Sequence, residues 1–292
     1  MTESCNELRQ REEQAKGSPS ALIQVALNVV IDTGNKEWAA RLVEKSLQAS
    51  SSSPRSCNNY VRVVKAADLL CQRAELVGRA VDAFVSRFQD YPHDDFIEEI
   101  CKLAEDMYTW PNFSMYSDEE SAFLRGQARK LMRYAVQGIC GANVRGSTLT
   151  KSSIYSALDA FVEMARFDNR DITTNFLDEA HERTRGSGSL LGWAFLSEAY
   201  AHSGHSIKAD ACFDKLENAY KNGKLSKKEF DNFESDSINA RVFPEALYED
   251  YESWRKNKKR LPEERYDLDP LESEKHLHDS TRYLRLDDIA GK

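Results

Sequence analysis

Two histidines and a cysteine lie close together in the C-terminal half of the chain: His202, His205 and Cys212. Imidazole nitrogen and thiolate sulfur are common zinc ligands, and a structural zinc site needs four such ligands in a tetrahedron. The sequence offers no fourth ligand at a suitable spacing, and Gly204 explains the local turn without a metal. We therefore predict no metal site here and no cofactor elsewhere in the chain.

The other cysteines give no second source of chemistry. The six cysteines of the chain are scattered and form no C-x-x-C pair, the spacing typical of metal and redox sites. The sequence also gives no basis for assembling a Ser, His and acid triad or a Cys and His pair. We expect reduced thiols, no catalytic residues, and a protein that is not an enzyme.

One segment, Asp178 to Thr184 (DEAHERT), matches a motif of known chemistry letter for letter. It resembles the second motif of DEAH-type RNA helicases, which implies that Asp178 would hold magnesium and Glu179 would position water for nucleotide hydrolysis. Such enzymes also need a phosphate loop, G-x-x-x-x-G-K-[ST], which the sequence lacks. The surrounding apolar spacing is typical of a helix rather than a strand. We therefore interpret these polar residues as a solvated helix face: Asp178, Glu179, Glu182 and Arg183.

The elements that would position such groups are predicted to be helices. The chain has 292 residues, of which only 13 are Gly and 7 are Pro, and its apolar residues recur every three or four positions. Charged residues make up 30% of the chain and no long uncharged apolar run occurs, so we expect no membrane insertion. The formal net charge of −8 opposes binding to phosphate backbones.

The predicted fold is all-α, built from stacked antiparallel helical hairpins with a charged, extended C-terminal tail. Polar and turn-forming segments divide the chain into a flexible N-terminus (1–18), an N-terminal helical subdomain (19–140), a linker (141–153), a C-terminal helical subdomain (154–258) and the tail (259–292). The spacing predicts helices over 21–32, 36–48, 60–89 with a break near Arg73, 94–108, 117–140, 154–166, 171–183, 190–202, 206–221, 226–236 and 244–258. The serine-rich segment 49–59 is predicted to be a linker between two of these helices.

The segment 190–223 carries the most specific pattern. Aromatic, aliphatic and small residues fall at helical spacing across two helices joined by a tight turn: Trp193, Leu196, Ser197, Tyr200, Ala209 and Phe213. This pattern resembles a tetratricopeptide repeat, in which small residues permit close approach and aromatic residues fill the groove between paired helices. Leu216 stands where that family usually has alanine, and no proline closes the repeat. The resemblance implies a stack of hairpins whose first helices line a concave surface.

The same resemblance implies which side chains would face a partner. It places four residues of the first helix on the concave surface: Ala194, Glu198, Ala201 and His202. The implied function is that of a non-catalytic adaptor or scaffold subunit that binds another protein or protein complex.

The segment also resembles a pentatricopeptide repeat, whose tandem arrays bind RNA one base per repeat. In that family a polar residue that contacts the base follows the aromatic residue of the first helix, whereas here that residue is Ala194. A methyl group cannot hydrogen-bond a base edge. An RNA-binding helical-repeat protein of a ribonucleoprotein complex is therefore the alternative hypothesis.

A basic run, Arg255 to Arg260 (RKNKKR), holds five positive charges in six residues. Acidic residues follow directly, so we interpret the run as part of a solvated tail, with nuclear import as the alternative. The residues after Met1 include acidic side chains and lack the apolar core of a signal peptide. We expect an intracellular protein, in the cytoplasm or, if the basic run is an import signal, in the nucleus.

Overall fold

The computed structural model describes residues 5–52, 57–88, 94–113, 116–141, 151–228 and 230–231. Within these ranges the chain is helical and contains no strand, which confirms the predicted all-α class. The α-helices are α1 (Cys5–Gln14), α2 (Pro19–Thr33), α3 (Lys36–Ser52), α4 (Cys57–Ala66), α5 (Ala74–Phe88), α6 (Asp94–Phe113), α7 (Asp118–Gly141), α8 (Lys151–Phe167), α9 (Arg170–Ser187), α10 (Leu190–His202) and α11 (Ser206–Lys221).

Several helix ends agree with the sequence signals that predicted them. The bounds of α10 and α11 coincide with the predicted 190–202 and 206–221. Before α7, the Glu120 carboxylate accepts from the Ser117 amide at 2.9 Å, and the Glu120 amide donates to the Ser117 hydroxyl at 3.3 Å, which forms a capping box where the helix 117–140 was predicted to begin. The tail (259–292), the helix predicted over 244–258, the basic run Arg255 to Arg260 and most of the linker (141–153) lie outside the described residues.

The N-terminal segment differs from the flexible stretch predicted over residues 1–18. Residues Cys5–Gln14 form α1, and its Leu8 side chain is completely buried. Glu12 of α1 also accepts a hydrogen bond from the Trp38 indole of α3 at 2.9 Å. A buried leucine and an interhelical hydrogen bond hold the segment in place. Because the composition of this segment is almost entirely polar, it does not predict either interaction.

Helix α3 continues through the serine-rich segment that was predicted to be a linker after residue 48. The hydroxyls of Ser50, Ser51 and Ser52 donate to the carbonyls four residues earlier, at 2.8, 3.1 and 3.2 Å. This bonding pattern satisfies the serine side chains within a helix. The prediction was wrong here because serine's preference for turns is a weak tendency that tertiary packing overrides.

The break predicted near Arg73 is present, and its form is unusual. Helix α4 continues into a single π-helical turn, Ala67–Cys71, and Gln72 then adopts a left-handed conformation with φ of 52° before α5 begins. By contrast, α6 runs through Pro111 to Phe113 instead of ending at residue 108 as predicted. A proline removes one helical hydrogen bond without obliging the helix to stop.

The described residues divide into two compact units whose boundary is not the predicted linker. Unit 1 contains 5–88 and 110–127, and unit 2 contains 94–109 and 128–231. The first ten residues of α7, from Asp118 to Gln127, therefore belong to unit 1 and the remainder to unit 2. None of the helices in the described ranges combines the length and apolar character needed to cross a bilayer.

Each unit has its own apolar core. In unit 1, α2 packs against α3 and α4 against α5, and the rings of Tyr60, Phe84 and Phe88 pack with centroids 4.9 to 6.0 Å apart. In unit 2, α10 packs against α8, α9 and α11. Phe161 of α8 contacts Phe195 of α10, with ring centroids 6.2 Å apart. Helix α10 is thus the central element of unit 2.

Candidate protein-interaction groove

The four predicted partner-binding residues lie in the interior of unit 2. Ala194, Glu198 and Ala201 are 0%, 5% and 3% exposed, and His202 is half-buried. They belong to α10, in which every residue from Gly192 to Ala201 is buried. The open face that the resemblance implied is therefore not present at these positions, and binding through them stays a prediction. Its signal was in the sequence: Glu198 is the single Asp, Glu, Lys or Arg of α10, so that helix has no polar face.

The N-terminus of α10 is anchored to α7 and α9 at backbone distance. The Ser189 hydroxyl donates to the Ile139 carbonyl of α7 at 2.8 Å and accepts from the Gly192 amide at 3.1 Å. A Cβ at Gly192 would lie 2.6 Å from the Thr184 hydroxyl of α9 and 3.0 Å from Cα of Cys140. Only glycine fits at this junction without displacing its neighbours. This junction fixes the spacing of α7 and α9.

An open groove of 690 Å³ lies between the second half of α7 and α9. We call it the α7/α9 groove. Its apolar residues are buried: Val136, Phe176 and Ala180. The other lining residues are exposed and polar: Arg133, Gln137, Asn175, Asp178, Glu179, Glu182 and Arg183. Spacings of three and four residues on each helix bring these two classes of side chain to one face.

Two arginines tie the walls of the groove together. The Arg133 guanidinium of α7 binds the Glu179 carboxylate of α9 through two contacts, of 2.8 and 3.2 Å. Nε of Arg183 donates to the Gln137 carbonyl of α7 at 3.0 Å. This carbonyl lies near the C-terminal end of α7, where a cation is favourable. The DEAHERT segment is thus an exposed helix face, as interpreted from the sequence.

Asp178 connects α9 to both helices of the following hairpin. Its carboxylate accepts from the Tyr200 hydroxyl of α10 at 3.0 Å and from the Lys208 ammonium of α11 at 2.6 Å. Burial alone would raise the pKa of Asp178, but the hydrogen bonds from Lys208 and Tyr200 outweigh it, so that the pKa is lowered. The residue that would hold magnesium in a helicase is here an interhelical acceptor.

The Cys212 thiol of α11 and the His181 imidazole of α9 lie next to each other. The Cys212 sulfur lies 3.9 Å from Nδ1 of His181, whose ring packs edge-on against Trp193 with centroids 5.2 Å apart. Burial raises the pKa of the Cys212 thiol to about 12. A thiol that stays protonated at neutral pH is a poor nucleophile and a poor metal ligand. In the part of the chain that the structure describes, no group of three or more possible ligands could hold a metal ion.

A second, smaller cavity of 320 Å³ lies between α6 and α8 and is acidic. Its charged lining residues are Glu98, Glu99, Lys102, Glu105 and Asp159. Burial, reinforced by the nearby carboxylates of Asp159, Asp106 and Glu163, raises the pKa of Glu105 to about 7. This cavity and the α7/α9 groove therefore differ in charge.

Comparison with known proteins adds no family at this point. No family model matches the chain, and no curated protein sequence or solved structure matches it.

Proposed function

We propose that this protein is a non-catalytic adaptor that binds another protein through the α7/α9 groove. The observation that supports the proposal is the construction of the groove: exposed hydrogen-bonding side chains surround buried apolar ones on two helices held at fixed spacing. A fixed surface of this composition, apolar at its centre and polar at its rim, is typical of protein interfaces. Helical hairpins of the tetratricopeptide kind, which the segment 190–223 resembles, serve the same purpose.

A photo-crosslinking amino acid in place of Gln137 tests the proposal. Gln137 is exposed and lines the groove. The matched control is the same substitution at Ile207 of α11, which is 84% exposed and lies outside the groove. After irradiation in cells, we expect one set of proteins joined to the chain through position 137 and absent from the control at 207. Equal crosslinking at both positions, or none at 137, would contradict the proposal.

The alternative of RNA binding predicts a different outcome. Gel mobility shifts with mixed RNA should then show binding that weakens steeply as salt rises from 50 to 200 mM. We expect no shift at either salt concentration, because the chain carries a net charge of −8. A salt-sensitive shift would favour the RNA-binding hypothesis over the adaptor.

A further inference from the structure

The carboxylates that line the α7/α9 groove are all engaged by basic side chains. Asp178 pairs with Lys208 at 2.6 Å, Glu179 with Arg133 at 2.8 Å, and Glu182 with Arg185 at 2.5 Å. Their negative charges are thereby compensated within the protein. The groove thus offers little attraction to a basic ligand, although three of its lining residues are acidic.

Arg183 differs from these residues because it has no acidic partner among the residues that the structure describes. Its Nε is held by the Gln137 carbonyl at 3.0 Å, and the side chain is exposed. Within the described ranges, the two terminal nitrogens of the guanidinium have no hydrogen-bond partner. A guanidinium fixed at one edge is oriented in advance for a carboxylate, which it can bind through two parallel hydrogen bonds.

The sum of the charges in and around the groove also leaves the charge of Arg183 uncompensated. Together with the lysine and arginine that pair with its acidic residues, the groove contains four basic side chains (Arg133, Arg183, Arg185 and Lys208) and three acidic ones (Asp178, Glu179 and Glu182). The local sum is 4 − 3 = +1, in a chain whose net charge is −8. The available charge in the groove is therefore that of Arg183.

We propose that the α7/α9 groove binds an acidic peptide segment of a partner protein. A carboxylate of the segment pairs with Arg183, and a neighbouring apolar side chain covers the small exposed edges of Phe176 and Val136, which are 5% and 2% exposed. The exposed amides of Gln137 and Asn175 hydrogen-bond the peptide backbone. The volume of 690 Å³ lies within the range of about 300–1,000 Å³ that is usual for ligand sites.

A nucleic acid fits these observations less well. A phosphate could also pair with Arg183, but tight binding to a phosphate backbone needs a row of basic side chains. The groove has one available guanidinium, and the strongly negative chain repels a polyanion. A short segment with one or two carboxylates and apolar neighbours avoids most of that repulsion.

This inference rests on the proposed function, because it specifies what the groove binds. Selection from a displayed library of random twelve-residue peptides against the full chain tests it. We expect enriched peptides with Asp or Glu next to a large apolar residue. Arg183→Gln should weaken the binding of such a peptide by about tenfold, since it removes hydrogen bonds between charged groups. The affinity of Arg183→Lys should lie between those of the wild type and Arg183→Gln, because an ammonium keeps the charge but cannot form two parallel hydrogen bonds.

The matched control is Lys215→Gln on α11, which removes the same charge from an exposed site outside the groove. It should leave the affinity unchanged, and circular dichroism of every variant checks that the helices are intact. Enrichment of neutral or basic peptides, no enrichment, an affinity unchanged in Arg183→Gln, or displacement of the peptide by mixed RNA would each overturn the inference. If crosslinking at position 137 still captures a partner, the adaptor proposal stands; if it does not, both fail.

Discussion

Glu12 in unit 1 and Asp168 in unit 2 perform the same structural task in different surroundings. Glu12 accepts from the Trp38 indole at 2.9 Å and pairs with Lys45, and its side chain is 16% exposed. Asp168 accepts from the Tyr108 hydroxyl at 3.1 Å and from Arg129 at 2.6 Å, and its side chain is only 5% exposed. A carboxylate that is more deeply buried depends more strongly on its partners.

Gly78 of unit 1 and Gly192 of unit 2 also differ in how far their neighbours can move. In unit 1, a Cβ at Gly78 would meet the ring of Phe123 at 2.5 Å, but that ring is 43% exposed and can turn away. In unit 2, a Cβ at Gly192 would meet Thr184, which is buried, and the backbone of Cys140. Unit 1 is therefore adaptable at this contact, whereas unit 2 is not.

Gly192→Ala should give the largest loss of stability. Because the neighbours of the new methyl group are buried or belong to the backbone, we expect a loss of about 2–3 kcal/mol, the upper part of the range of about 1–3 kcal/mol for overpacked cores. Gly78→Ala is the control: it should change the free energy of unfolding by less than about 1 kcal/mol, since the ring moves and alanine favours the helix. Chemical denaturation followed by circular dichroism measures both. Equal losses would remove the distinction between the units.

Asp168→Ala should destabilise the protein by about 2 kcal/mol, because it leaves the Arg129 guanidinium and the buried Tyr108 hydroxyl without their acceptor. The figure is below the 3–5 kcal/mol of a fully buried pair, since Arg129 is 30% exposed. Glu12→Ala, the matched change in unit 1, should cost about 1 kcal/mol. Thermal unfolding of the two variants decides the order, and a larger effect at Glu12 would reverse the comparison.

Asp178→Asn should cost about 1 kcal/mol at pH 7, because the charged pairing with Lys208 is lost on a half-exposed surface. The pKa of Asp178 is lowered in the folded protein, so its contribution to stability is present above the unfolded value of about 3.9 and disappears as the pH falls through the folded value. The free energy difference between variant and wild type should therefore shrink from pH 7 to pH 3. A constant difference would contradict this account.

Glu105→Gln should give an effect of opposite sign, and a reduced one, because water screens this half-buried carboxyl. The pKa of Glu105 is raised to about 7 from 4.5, so the folded state binds more protons between these values and stability falls as the pH rises through them. The variant should therefore be slightly more stable than wild type at pH 8 and indistinguishable from it at pH 4.5. In unit 1, burial is outweighed by hydrogen bonds from Lys45 and Trp38, and the pKa of Glu12 is lowered. For Glu12→Gln, the loss of stability relative to wild type should therefore be larger at neutral pH than at acid pH.

The helices were predictable from the sequence where local signals mark their ends. Ser189 before α10, Gly204 after it and the Ser117 capping box are signals that act over a few residues. The α7/α9 groove was not predictable, because its walls pair residues far apart in the chain. Arg133 and Glu179 are 46 residues apart, and neither position carries a local signal for the other.

The serines of α3 show a second limit of sequence reasoning. Turn-forming composition predicted a linker, but the hydroxyls of Ser50 to Ser52 bond within the helix instead. The burial of the predicted binding residues on α10 has a different cause. There the spacing of apolar residues predicted the correct helix, and the family resemblance predicted which side of it is exposed. A helix with apolar residues on all sides has no exposed side.

The burial of α10 from Gly192 to Ala201 also makes this helix a reporter of the whole of unit 2. Its backbone amides lie beneath α8, α9 and α11, so a deuteron can reach them only when those helices separate. Exchange along α10 should accordingly be slow and uniform, and its rate should report the free energy of opening the entire unit. Amides at the outer ends of α9 and α11 should exchange earlier through local fraying.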